Sequence, residues 1–80
     1  MHIKVLGPGC RNCRALERNT QAALASLDLD ATVEKVTDYA EIAGYGVLKT
    51  PGLVIDEEVV VSGRVPSSGA LADLLRRRIA

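Results

Sequence analysis

The spacing of apolar residues changes repeatedly along this chain of 80 residues, and this alternation constrains the fold more than any other feature. Short β-branched runs are typical of strands, whereas apolar residues three to four positions apart are typical of one helix face. Strands are predicted at residues 2–6, Ala31–Val36, Leu53–Asp56 and Glu58–Ser62, and helices at Cys10–Leu27, 38–43 and from Ser67 or Ser68 onwards. The predicted order is therefore β-α-β-α-β-β-α.

This order predicts the layout of the sheet. Strands that alternate with helices pair in parallel through crossovers, and a terminal hairpin adds an antiparallel strand. We therefore expect an α/β fold with a four-stranded mixed sheet and helices on both faces. The first helix is predicted to place Arg14, Glu17, Arg18 and Gln21 on the outward face, opposite its apolar stripe. The last helix is predicted to have an apolar stripe of Leu71, Leu74, Leu75 and Ile79.

Length and composition narrow the class of protein. A chain of 80 residues builds one small core, so residues 1–80 are predicted to form a single domain. Ten basic residues balance ten acidic ones, which argues against a dedicated nucleic-acid-binding domain. No apolar run approaches the roughly 20 residues of a membrane span, and the N-terminus lacks the long apolar region of a secretory signal. We expect a cytoplasmic protein without membrane contact.

The zero net charge conceals an uneven distribution. Residues 1–20 contain four basic residues and one acidic residue, a net charge of +3. Residues 28–58 contain two basic and eight acidic residues, a net of −6, and residues 59–80 contain four basic and one acidic, a net of +3. Such runs are usually solvated surface. Positive charge nevertheless gathers near the two cysteines.

The segment Cys10-Arg11-Asn12-Cys13 is the candidate reactive site of the chain, because it contains both cysteines. Residues three apart at the start of a helix have Cβ atoms about 5–6 Å apart, and a disulfide needs about 3.5–4.5 Å. Because Cys10 lies at the non-helical margin, a small rotation closes this gap. The pair is therefore expected to form and break a disulfide with little backbone movement.

The position of the two thiols predicts different roles for them. Cys10 is expected at a helix N-terminus, where free N–H groups and the helix dipole favour an anion. Arg11 and Arg14 add positive potential, so the pKa of the Cys10 thiol is expected to fall from about 8.5 towards neutrality. Cys13 lies one turn inside and is expected to be less exposed. This arrangement favours disulfide exchange in which Cys10 attacks and Cys13 resolves.

Other functions for the cysteine pair stay open. A structural cross-link over so short a loop contributes only about 2 kcal/mol, against about 4.7 kcal/mol for a 100-residue loop. Two thiolates also bind Cu(I) or Zn²⁺, with His2 as a conceivable third ligand, although His2 lies at the far end of the first strand. A third alternative is a redox-sensing interaction domain whose partner surface changes with oxidation.

The segments GPGCRNC, YGVLKTPGLVI and SGRVPS resemble the thioredoxin superfamily, in particular its very small microbial thioredoxin-like (redox-active disulfide) proteins. The resemblance covers essentially the whole chain. It implies a minimal thioredoxin-like fold and a thiol–disulfide oxidoreductase acting on protein or small-molecule disulfides. It also implies no cofactor, a disulfide-containing target and a separate disulfide reductase. The oligomeric state stays open.

The resemblance also implies residue roles. Cys10 matches the attacking cysteine, Cys13 the resolving one, and Pro51 the cis-proline beside the thiols. A cis bond would turn the backbone of Thr50 outwards, where it pairs with an extended substrate segment.

Three departures from the family pattern bear on the chemistry. Gly9 stands where ordinary thioredoxins have a Trp before the first cysteine. Arg11 and Asn12 stand where they have Gly-Pro between the two cysteines. Arg11, Asn12 and Arg14 are expected to tune the pKa of the thiols. No residue matches the buried Asp that assists proton transfer in ordinary thioredoxins.

Overall fold

A computed structural model describes residues 1–79 and contains the predicted order of elements. The elements are β1 His2–Leu6, α1 Arg11–Ser26, β2 Thr32–Val36, α2 Tyr39–Gly44, β3 Gly52–Ile55, β4 Glu58–Ser62 and α3 Ser68–Ile79. Two of the helices begin as their capping residues require. The Asp38 carboxylate accepts the Ala40 N–H, and the Ser67 hydroxyl accepts the Ala70 N–H, so Ser67 rather than Ser68 caps α3. The predicted domain end at Ala80 lies outside the described residues.

The four strands form one mixed sheet in the order β2-β1-β3-β4. β1 pairs in parallel with β2 and antiparallel with β3, and β3 pairs antiparallel with β4. Leu6, the last residue of β1, lies between Val36 of β2 and Gly52 of β3. The C-terminal end of β1 and the N-terminal end of β3 therefore lie at the same end of the sheet. The segments that contain Cys10 and Pro51 adjoin these two strand ends.

The two faces of the sheet bury different clusters, because side chains alternate along each strand. The larger cluster joins the sheet to α1 and α3 and contains Ile3, Val5, Leu16, Ala23, Leu24, Leu53, Ile55, Val61, Leu71, Ala72 and Leu75. The smaller cluster lies on the opposite face beneath α2 and contains Leu6, Val36, Ile42, Val47 and Val54. The α/β fold with helices on both faces is thus confirmed.

One residue of the predicted apolar stripe is exposed. Leu71 and Leu75 are almost fully buried, but Ile79 is 52% exposed. Ile79 belongs to the predicted stripe but lies beyond the core, because periodicity defines a helix face but not how far the neighbouring core extends along it.

The β3–β4 hairpin lies at the end of the molecule opposite the cysteines. Its two-residue loop, Asp56-Glu57, has positive φ angles of 48° and 70°, which define a type I′ turn. The Asp56 carboxylate accepts the backbone N–H of His2 at 2.9 Å, and this bond ties the turn to the start of β1. A glycine-free turn of this type gave no recognisable sequence signal.

None of the helices within residues 1–79 is long and apolar enough to cross a lipid bilayer.

Candidate active site

Cys10 is the N-cap of α1. Its backbone is extended, with φ −69° and ψ 170°, after a turn in which Gly9 has φ +92°. The Cys10 sulfur accepts the backbone N–H of Cys13 at 3.2 Å, and the Cys10 carbonyl accepts the N–H of Arg14 at 3.0 Å. The sulfur therefore replaces the oxygen of a usual capping side chain and lies where the helix dipole favours negative charge.

Cys10 and Cys13 form a disulfide with Cα atoms 5.0 Å apart. The two residues differ sharply in accessibility, since Cys10 is exposed and Cys13 is only 4% exposed. A partner molecule can therefore approach Cys10, while Cys13 is reached from the Cys10 side. This asymmetry is the one expected for an attacking and a resolving cysteine.

Gly7 provides the space that the Cys13 sulfur occupies. A Cβ atom added at Gly7 would overlap Cys13 Sγ and lie 3.1 Å from Cys13 Cβ. The Gly7 N–H also donates to the Val36 carbonyl at 2.9 Å, which holds the backbone in place. This role of Gly7 was not predicted from the sequence, because its contact with Cys13 is tertiary and does not depend on the spacing of residues along the chain.

Thr50 and Pro51 adjoin the disulfide. The Thr50–Pro51 peptide bond is cis, Pro51 is buried, and Thr50 is partly exposed. The Thr50 Cβ lies 3.8 Å from the Cβ position of Gly7, the same position that meets Cys13. The Pro51 carbonyl accepts the Gly63 N–H at 2.8 Å, so the loop after β4 lies against the proline.

A cavity of about 110 Å³ lies beside the buried thiol. It is lined by Val5, Gly7, Gly9, Cys13, Arg14, Glu17, Lys35 and Thr37. The Glu17 side chain is only 18% exposed, and its carboxylate lies 3.4 Å from the Lys35 ammonium. The prediction that Glu17 faces outwards was wrong. Glu17 is four residues after Cys13 and therefore lies on the same helix face. It was assigned to the outward face because charged side chains usually face solvent.

Arg11, Asn12 and Arg14 are exposed at the start of α1. Arg11 and Asn12 separate the two cysteines along the chain, and Arg14 reaches the rim of the cavity beside Cys13. All three residues therefore lie on the first turn of α1, the same turn that contains Cys13.

His2 does not join the cysteines. It lies at the opposite end of β1, where its Nε2 is 3.7 Å from the Glu34 carboxylate. Among residues 1–79 no three His, Cys, Asp or Glu side chains are grouped closely enough to hold a metal ion.

Comparisons with known proteins agree with this geometry. Residues 1–76 match the family model of the thioredoxin domain. A thioredoxin of Methanothermobacter thermautotrophicus is 37% identical over 75 residues, covering 94% of this chain and 97% of that protein. A thioredoxin of Methanocaldococcus jannaschii is 36% identical over 74 residues, covering 92% of this chain and 85% of that protein.

The fold, the disulfide at a helix N-terminus and these similarities define a thiol–disulfide oxidoreductase. The chain belongs to the thioredoxin family. Proteins of this kind act on disulfide-containing targets and are returned to the dithiol form by a reductase.

Proposed function

We propose that this chain reduces disulfide bonds of target proteins in the cytoplasm as one domain spanning residues 1–80. A separate disulfide reductase then regenerates its dithiol. One observation carries this proposal: Cys10 is exposed at a helix N-terminus, and its sulfur is bonded to the sulfur of Cys13, a residue that is almost fully buried. The reactive atom is thus available to a partner, and its resolving neighbour is protected from competing reactions.

The cycle has two exchange steps. The Cys10 thiolate attacks one sulfur of the target disulfide, forms a mixed disulfide and releases the first target thiolate. The Cys13 thiolate then attacks Cys10 Sγ, forms the Cys10–Cys13 bond and releases the second target thiolate. The target gains two electrons and the chain loses two, which the reductase restores.

Thr50 and Pro51 are proposed to hold the target segment. Thr50 is partly exposed beside the buried Pro51 and contacts the Gly7 position next to Cys13. An extended segment aligned with the backbone of Thr50 would present its sulfur to Cys10, in the manner of strand addition. Pro51 offers no N–H that would compete for the target or for the thiols.

Charged residues are proposed to stabilise the thiolate of Cys10 and to accept the proton of the Cys13 thiol. Arg11 and Arg14 favour the thiolate of Cys10 through their positive charge, and Asn12 supplies a neutral polar neighbour. Glu17 borders the cavity beside Cys13, and the cavity has room for water. We assign to Glu17 the acceptance of the Cys13 proton through water and its return to the departing target thiolate.

The experiment is covalent trapping. The Cys13→Ser variant, incubated with oxidised target proteins, is expected to accumulate mixed disulfides at Cys10 that reducing agent releases. The matched Cys10→Ser variant retains one buried thiol and is expected to trap none. The proposal is wrong if Cys13→Ser traps nothing and the wild-type protein also leaves a disulfide dye unreduced. Stoichiometric Zn²⁺ or Cu(I) in such an inactive protein would favour the metal-binding alternative.

A further inference from the structure

Four basic residues lie in the segments around the disulfide, and none of the four has an acidic partner within residues 1–79. Arg11 and Arg14 lie on the first turn of α1, Lys49 precedes Thr50, and Arg64 follows Gly63, whose N–H binds the Pro51 carbonyl. All four side chains are exposed. Among residues 1–79, none of them has a carboxylate oxygen within 4.0 Å of its charged nitrogen.

Within residues 1–79, four of the six other basic residues are paired with a carboxylate, and Arg18 and Arg77 are not. Ion pairs join Lys4 to Glu57, Lys35 to Glu17, Arg76 to Asp73 and Arg78 to Glu58. Positive charge left unpaired and close together repels itself, and folding gains nothing from such an arrangement. The unpaired group at the disulfide is therefore better explained by a ligand than by stability.

The loop before the cis-proline adds an apolar contact to this group. Leu48 is 94% exposed, by far the most exposed of the large hydrophobic residues within residues 1–79. It directly precedes Lys49, whose Cβ would lie 3.1 Å from a Cβ at Gly63, so the two loops are in contact. We call the exposed side chains of Arg11, Arg14, Leu48, Lys49 and Arg64 the basic rim.

Acidic residues concentrate at the other end of the molecule. Asp28 and Asp30 follow the C-terminus of α1, and Asp56, Glu57 and Glu58 belong to the far hairpin. Near the disulfide, Glu17 is paired with Lys35 and Asp38 caps α2. The hairpin end also contains Arg76, Arg77 and Arg78, of which Arg76 and Arg78 are paired with acidic residues, whereas the four cations of the segments around the disulfide are unpaired within residues 1–79.

We propose that the basic rim selects protein targets whose reactive disulfide lies in an acidic segment. This inference rests on the proposed function and names the substrate class of the same site. Aspartate and glutamate beside the target cysteines would pair with the rim cations, and an apolar residue of the segment would cover Leu48. Charge complementarity of this kind mainly raises the rate of productive encounter, and it disfavours basic targets through like-charge repulsion.

The test uses three peptides with the same disulfide, flanked by Glu, by Gln or by Lys. The rate constant for reduction by the reduced protein is measured by stopped flow. The Glu peptide is expected to react about tenfold faster than the Gln peptide at low ionic strength, and the Lys peptide slower than both. In about 1 M salt the Glu-to-Gln ratio is expected to fall towards one, because the screening length is then only about 3 Å.

Charge-removing variants locate the effect. The double variant Lys49→Gln and Arg64→Gln is expected to lower the Glu-to-Gln ratio at least about threefold at low salt. Arg77→Gln removes a comparable exposed charge from the last turn of α3, remote from the disulfide, and is expected to leave the ratio unchanged. Comparing ratios between variants cancels the intrinsic reactivity of each peptide.

Two results would overturn the inference. One is a wild-type Glu-to-Gln ratio near one at low salt. The other is a ratio that Arg77→Gln lowers as much as the double variant does, which would assign the effect to overall charge. A wild-type protein that reduces none of the three peptides would instead contradict the proposed function itself.

Discussion

The two ends of the sheet use polar side chains in opposite ways. At the hairpin end, the Lys4 ammonium contacts the Tyr45 hydroxyl at 2.5 Å and the Glu57 carboxylate at 2.9 Å. At the disulfide end, by contrast, the Cys10 sulfur and several cations face solvent. Several charges at the hairpin end are paired within the chain, as Lys4 is with Glu57 and Arg78 with Glu58. Those at the other end remain available to a partner, and this difference marks the functional end.

The largest expected effect is the loss of disulfide-reducing activity when the sulfur of Cys10 is removed. Cys10→Ser removes the exposed nucleophile, so reduction of a protein disulfide is expected to fall to the background rate. Glu57→Gln, a change at the hairpin end, is expected to keep full activity. Turnover driven by dithiothreitol measures both variants. Residual activity of Cys10→Ser well above background would show that the two ends are not divided as described.

Gly7→Ala tests how tightly the disulfide end is packed. The new Cβ would overlap the Cys13 sulfur, so the free energy of unfolding of the oxidised protein is expected to fall by about 2 kcal/mol. Gly44→Ala is the matched control, because nothing lies within 4 Å of its added Cβ. In a helix that change is expected to be neutral or to stabilise by up to about 1 kcal/mol. Urea unfolding measures both, and equal stability of the two variants would contradict the packing at Gly7.

Glu17→Gln tests the proposed proton acceptor. The second exchange step is expected to slow about tenfold at neutral pH, less than the roughly 100-fold of a directly bonded base. The deficit is expected to shrink at high pH, where the Cys13 thiol ionises without help. Glu17→Asp keeps the carboxylate and is expected to recover part of the rate. Single-turnover kinetics across pH give the answer, and a deficit independent of pH would assign Glu17 a purely structural role.

The smallest effect expected concerns the hairpin end. Hydrogen bonds from Lys4 and then Tyr45 lower the pKa of the Glu57 carboxyl below its ordinary value of 4.5. The stability that this carboxylate contributes is therefore present above pH 4.5 and is lost as the pH falls through the lowered pKa. A titration of Glu57 by NMR is expected to show the lowered pKa, and Lys4→Gln is expected to raise it. An ordinary pKa in the wild-type protein would contradict the paired arrangement.

Much of this fold and site could be predicted from the sequence, because the deciding features are local. The alternation of strand and helix patterns gave the element order, and Cys10 and Cys13 were identified by their spacing after a strand. The cis state of the Thr50–Pro51 bond was available only through family resemblance, since most bonds before proline are trans.

What was missed depends on contacts between distant residues. Glycine is needed at position 7 because the sulfur of Cys13, six residues later in the chain, contacts this position in the folded protein. The inward placement of Glu17 depends on a cavity and on Lys35 of another element. The unpaired state of the cations near the disulfide likewise becomes apparent only when the carboxylates of residues 1–79 have been located in the fold.

The most direct test of the central claim is the alkylation of the two thiols in the reduced protein across pH, with the modified residue identified by mass spectrometry. Cys10 is expected to react first, with an apparent pKa below the ordinary value of about 8.5, while Cys13 stays protected until the protein unfolds. Faster modification of Cys13, or equal rates at the two residues, would contradict an exposed nucleophile resolved by a buried partner.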